Sequence, residues 1–125
     1  MKKIFLLLFF FVALQLNAQT SKAEITIESV SKKWVFSDLI NPKLSKEEYK
    51  ENKEMLEATE IEFRKDMTFT FSFITDLIGT WTLKENIITT NDRRGTNIWT
   101  IHKITPNEVI MSRNDSEQKI VFKSL

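Results

Sequence analysis

From Glu60 onward the chain alternates large apolar and small polar residues with period two, the pattern of strands buried on one face. Ile61 and Phe63 interleave with Glu60, Glu62 and Arg64, and Lys65-Asp66 turns the chain into Thr68-Phe69-Thr70-Phe71-Ser72-Phe73, which predicts a two-faced hairpin. A second turn is expected from Thr75-Asp76 to Gly79, after which Trp81 and Leu83 restart the alternation and Glu85-Asn86 leads into Ile87 to Thr90. Asn91 to Gly95 reads as a polar, basic loop. The next strand runs from Ile98 to Ile104, Thr105-Pro106-Asn107-Glu108 has proline where a type I turn favours it, and Val109 to Ser112 follows. Asn114-Asp115 turns into a last strand, Lys119 to Lys123. Earlier in the chain, Ile25 to Val30 and Trp34 to Leu39 add one or two strands, with Trp34 and Phe36 on one face and Val35 on the other.

One segment breaks this rhythm with helical signals. Ser45 is a candidate N-cap with Glu48 three residues on, a capping box, and Leu44 and Tyr49 stand where a hydrophobic staple needs them. Its body, Lys46 to Ala58, has few apolar residues beyond Tyr49, Met55 and Leu56, and pairs opposite charges at helical spacing. It predicts a surface helix near residues 45–58 that covers an edge or the mouth of a barrel. The fold class that emerges is all-β: a small antiparallel meander β-barrel of about eight strands, because closure removes the edges that such a sheet would otherwise expose.

The first 18 residues read as an export signal: Lys2 and Lys3 precede an apolar run from Ile4 to Leu14, and Leu16-Asn17-Ala18 offers a cleavage site. That run falls short of the roughly 20 residues a spanning helix needs. Removing 18 of the 125 residues leaves 107, residues 19–125, enough for one domain. The mature chain is expected in a periplasmic or extracellular space, with no stable membrane anchor. Without Lys2 and Lys3 the balance becomes 16 basic against 17 acidic residues, so nothing steers the chain toward nucleic acid. The sequence contains no cysteine, and stability must come from an apolar core.

The order of elements resembles the small secreted lipocalin-like domain proteins common in Bacteroidetes-type bacteria. The residues that carry the resemblance are Lys33-Trp34-Val35-Phe36, the run Ile61 to Phe71, Gly79-Thr80-Trp81-Thr82-Leu83, and Trp99-Thr100-Ile101 through Thr105-Pro106-Asn107-Glu108-Val109. Met67 stands where that family usually has a glycine, and the Gly-x-Trp of lipocalins proper occurs here in mid-chain instead of on the first strand. The resemblance implies a lipocalin-like barrel with a binding role.

The chemistry-bearing residues are sparse. His102 is the only histidine, and strand alternation turns it outward if Trp99 faces inward; one histidine without cysteine does not make a zinc set. The helix carboxylates are interleaved with Lys46, Lys50 and Lys53 on a solvated face. Arg93-Arg94-Gly95 reads as a polar turn that could grip an anion, Asn114-Asp115-Ser116 as a turn that also fits a glycosylation sequon. No catalytic residue, metal site or cofactor is expected, and the chain reads as a non-enzyme. The aromatic set is the main candidate: Trp34, Phe63, Phe69, Phe71, Trp81 and Trp99, with Ile101, either border a pocket for a small hydrophobic ligand or meet in a packed core, since eight strands leave room for side chains or one small ligand. In the second case the barrel would be a protein-interaction or structural module of the cell envelope.

Overall fold

The computed structural model describes residues 24–125, so the export segment lies outside the described residues. The period-two alternation builds eight strands: β1 (Lys33–Ile40), β2 (Glu60–Phe63), β3 (Thr68–Phe73), β4 (Thr75–Lys84), β5 (Ile87–Asp92), β6 (Gly95–Ile104), β7 (Glu108–Arg113) and β8 (Lys119–Ser124). Each pairs antiparallel with its neighbour in sequence, and β8 returns to β1, which closes an eight-stranded meander barrel. Two helices precede and interrupt the strands, α1 (Ile27–Val30) and α2 (Lys46–Leu56).

Because the strands alternate in direction, the connections sort onto two ends. The tight turns β2–β3, β4–β5 and β6–β7 gather at one end with α1. The other end carries α2 and the turns β3–β4, β5–β6 and β7–β8. We call the first the closed end and the second the mouth.

Helix α1 replaces the strand expected at Ile25 to Val30. Thr26 caps it through a capping box with Ser29: the Thr26 hydroxyl accepts the Ser29 N–H at 3.0 Å, and the Ser29 hydroxyl accepts the Thr26 N–H at 2.9 Å. These two local bonds outweigh the β-branched run around them and fold Val30 back under the barrel, where it is buried. Helix α2 forms as the capping signals predict, with Ser45 and Glu48 bonded reciprocally, although it ends at Leu56 instead of Ala58.

The second hairpin also differs from expectation. The β3–β4 turn falls at Ile74, and β4 already runs from Thr75, so Thr75 to Gly79 is strand and not turn. Gly79 sits mid-strand opposite Phe69. A methyl group there would overlap the backbone oxygen of Asn91 on β5 and come within 2.9 Å of the Phe69 ring. The missing side chain therefore serves close packing between β4 and its neighbours, with the Phe69 ring covering the gap. Asn91 and Asp92, expected in a loop, extend β5, and the β5–β6 turn shrinks to Arg93-Arg94. At the β2–β3 turn Met67 adopts a left-handed backbone, φ 68°, which is the conformation a glycine would take without strain.

Candidate functional site

At the closed end, the inward residues of β1, β2 and β4 meet the α1 plug. Trp34 and Trp81 are 1% and 0% exposed, and each donates its indole N–H to a backbone oxygen, Trp34 to Val30 at 3.0 Å and Trp81 to Arg64 at 2.9 Å. A buried indole demands such a partner, so the two bonds fix the rings as well as satisfying them. Phe63 packs against Trp81 and Phe69, with ring centroids 5.0 and 6.4 Å away. Nearer the mouth Trp99 contacts Phe71 at 5.9 Å and Phe122 at 6.5 Å.

Six of the residues singled out as a ligand-lining set, Trp34, Phe63, Phe69, Trp81, Trp99 and Ile101, are buried members of this one core cluster; the seventh, Phe71, is partly buried against it. They come together, but ring against ring. The void bordered by Ile61, Phe69, Phe71 and Trp99 measures only about 10 Å³, the space of a single water molecule.

Toward the mouth the character changes. The same void is bordered on its polar side by Thr90, Asp92, Asn97 and Arg113. Arg113 ends β7 in the inward register of Val109 and Met111, and its guanidinium lies over the faces of Phe71 and Trp99, 5.5 and 5.6 Å from the ring centroids. Its Nε is buried without a hydrogen-bond partner. Sequence reasoning missed this residue; the available signal was a cation continuing the inward alternation of a strand.

A second feature of the mouth follows from unequal strand pairing. β2 meets β1 only along Lys33–Val35, whereas β8 follows β1 out to Ile40. The Phe36 N–H donates to Thr59 O at 2.9 Å, and beyond it the upper half of β1 has no strand on that side. Helix α2 stands across this seam without a single fully buried residue. Between them lies a cleft of about 420 Å³, walled by Phe36 and Ser37 of β1 and by Tyr49, Lys50, Lys53, Glu54 and Glu57 of the helix side.

The helix is held at Asp38. The Tyr49 hydroxyl donates to Asp38 Oδ1 at 2.5 Å, the Leu39 N–H donates to the same oxygen at 2.8 Å, and Lys53 Nζ stands 3.7 Å away. The Tyr49 bond chiefly, opposed by desolvation and assisted by the Leu39 N–H and the Lys53 charge, holds the Asp38 carboxyl below its ordinary value.

This barrel has a solved counterpart. A DUF4847 family protein from Bacteroides vulgatus ATCC 8482 aligns over 76% of this chain and 93% of its own, with a TM-score of 0.55 and 16% identity. At that identity the likeness is one of fold, and it places a small barrel of this build in a Bacteroides protein. No family model and no curated protein matches the chain.

The remaining candidates fall on the outside. His102 sits at a β-bulge on the outer face of β6, where its Nε2 meets the Ser112 hydroxyl at 2.8 Å. Desolvation, with the nearby Lys119 charge, lowers its pKa. Arg93 and Arg94 form the exposed tip of the β5–β6 turn, where the Arg94 N–H donates to Asp92 Oδ1 at 2.7 Å. Among the described residues no group of three or more histidine, cysteine or acidic side chains is arranged to hold a metal.

Proposed function

We propose that the chain is an exported, non-enzymatic lipocalin-like binding module that takes a small amphipathic ligand at its mouth, in the cleft between α2 and β1. The single observation that carries this reading is the volume contrast: about 420 Å³ in the cleft against about 10 Å³ beside the core rings. Small-molecule sites usually span about 300–1,000 Å³ and combine an apolar wall with a few polar groups. The cleft has both, with Phe36 and Tyr49 for an apolar body and Lys50, Lys53 and Glu54 for a polar end.

An NMR screen of amphipathic compounds against the isotope-labelled mature chain tests the reading. Ligands should shift the signals of Phe36, Ser37, Tyr49 and Lys53, and Tyr49→Ala should weaken binding at least tenfold. Shifts centred on Trp34, Phe63 and Trp81 would place the ligand inside the barrel and overturn it. Export is tested separately by the mass of the protein recovered from the native cell, which should correspond to a chain beginning at Gln19.

A second reading, a protein-interaction module, is favoured by the β3–β4 turn. Ile74 is 92% exposed and holds a left-handed backbone, φ 66°, a combination that a β-branched residue rarely adopts. Ile78 adds a second exposed apolar side chain on β4. Pull-down with Ile74→Asn should lose any envelope partner that the native chain retains.

A further inference from the structure

A guanidinium that faces a barrel interior is ordinarily matched by a carboxylate, because burying an unpaired charge is costly. Arg113 has no such match. None of the four ion pairs among the described residues includes it. Asp92 borders the same void but makes no ion pair with Arg113, and its Oδ1 accepts the Arg94 N–H across the turn. Asn97, also on the void, has its Oδ1 engaged by the Asn114 amide at 3.3 Å. The guanidinium lies over the rings of Phe71 and Trp99, and its Nε is buried and unbonded.

We infer that Arg113 is an oxyanion-binding site at the barrel mouth, distinct from the α2 cleft, that takes a carboxylate or phosphate group edge-on. The Nε and one terminal nitrogen of a guanidinium form a fork that matches two oxygens of such a group. The void of about 10 Å³ admits one oxygen atom beside Arg113, and the second oxygen remains at the mouth. Thr90 and Asn97 border the inner position, and the β5–β6 turn adds the positive charge of Arg93 and Arg94 at the rim. The cation–π contacts with Phe71 and Trp99 position the guanidinium at the void. The two-nitrogen fork therefore favours groups that present two oxygens, carboxylate or phosphoryl, over a spherical halide.

Trp99 lies against Arg113 and reports on it. Acetate, octanoate and inorganic phosphate are titrated into the full mature chain at constant ionic strength, with chloride as the control, following tryptophan fluorescence and chemical shifts. The expected result is a saturable change with at least one oxyanion, none with chloride, and shifts at Arg113, Thr90 and Asn97. Preference for acetate and octanoate assigns a carboxylate; preference for phosphate assigns a phosphoryl group. Arg113→Gln should weaken binding at least tenfold. Asn97→Asp adds a second carboxylate to the void that Asp92 already borders, keeps the side-chain shape, and should abolish binding while leaving the fold intact. Linear, non-saturating changes, equal response to chloride, or binding that survives Asn97→Asp and Arg113→Gln would overturn the assignment and leave Arg113 as the holder of a single buried water. Shifts confined to Tyr49 and Lys53 would instead report the cleft and leave the Arg113 site refuted.

Discussion

The two ends of the barrel use similar aromatic residues to different effect. At the closed end every large ring is buried, both indoles are hydrogen-bonded to backbone oxygens, and Val30 on a capped helical turn seals the base. At the mouth Phe36, Phe71 and Phe73 are only partly buried, an arginine lacks a partner, and a helix without a fully buried residue hangs on one carboxylate. The contrast teaches how a disulfide-free chain of this size divides its labour. The apolar area that stabilises the fold is concentrated where polar groups are satisfied, and the groups left partly wet or unpaired collect at the mouth.

The largest effect expected from this division is at Trp81. Trp81→Ala should destabilise the protein by about 3–5 kcal/mol in urea denaturation, because it opens a cavity among rings that cannot collapse. Phe36→Ala at the mouth should cost only about 1–2 kcal/mol, in keeping with its partial burial. Equal losses would erase the distinction between the ends.

Gly79→Ala comes next. Alanine favours strand over glycine only weakly, and here its methyl meets the Asn91 backbone and the Phe69 ring, so a loss of about 1–3 kcal/mol is expected. In the opposite direction, Ile74→Gly should raise stability by about 1 kcal/mol, since it relieves a left-handed backbone at an exposed position. If this strained residue serves a partner, the gain in stability comes with a loss of partner binding.

The smallest effect is at the helix latch. Tyr49→Phe should change global stability by less than about 1 kcal/mol while α2 amides exchange several-fold faster. The pH dependence has a definite sign. The folded pKa of Asp38 is depressed, so its contribution is complete above the unfolded value of about 3.9 and fades as pH falls through the lowered folded value. Acidification below about pH 4 should therefore undock α2, and Tyr49→Phe should flatten that response.

Much of the barrel was legible because the signals were local. Alternation placed Phe69, Phe71, Trp81, Trp99 and Ile101 on the inward face, and the Ser45–Glu48 box located α2. What escaped depended on contacts far apart in sequence or on competition between short-range rules. Gly79 resembled a turn because its reason for being glycine is the backbone of Asn91 on the next strand. Ile25 to Val30 resembled a strand until the Thr26–Ser29 box prevailed. The candidate site was the least legible part. The cleft exists because β2 is too short to follow β1 upward, a property of pairing that no local pattern records. Arg113 was hidden by its type: a basic residue before Asn114-Asp115 reads as part of a polar turn, and only the register of Val109 and Met111 turns it inward.

Native-state hydrogen exchange across low concentrations of denaturant measures the asymmetry between the ends most directly, since it separates local from global opening site by site. The indole N–H groups of Trp34 and Trp81 should exchange only through global unfolding, with the full denaturant dependence of the protein. The amides of α2 should exchange through a local opening several kcal/mol lower, with little denaturant dependence. If α2 shared the high free energy and steep dependence of the two indoles, the mouth would be as firmly built as the closed end, and the division of stability between them would be contradicted.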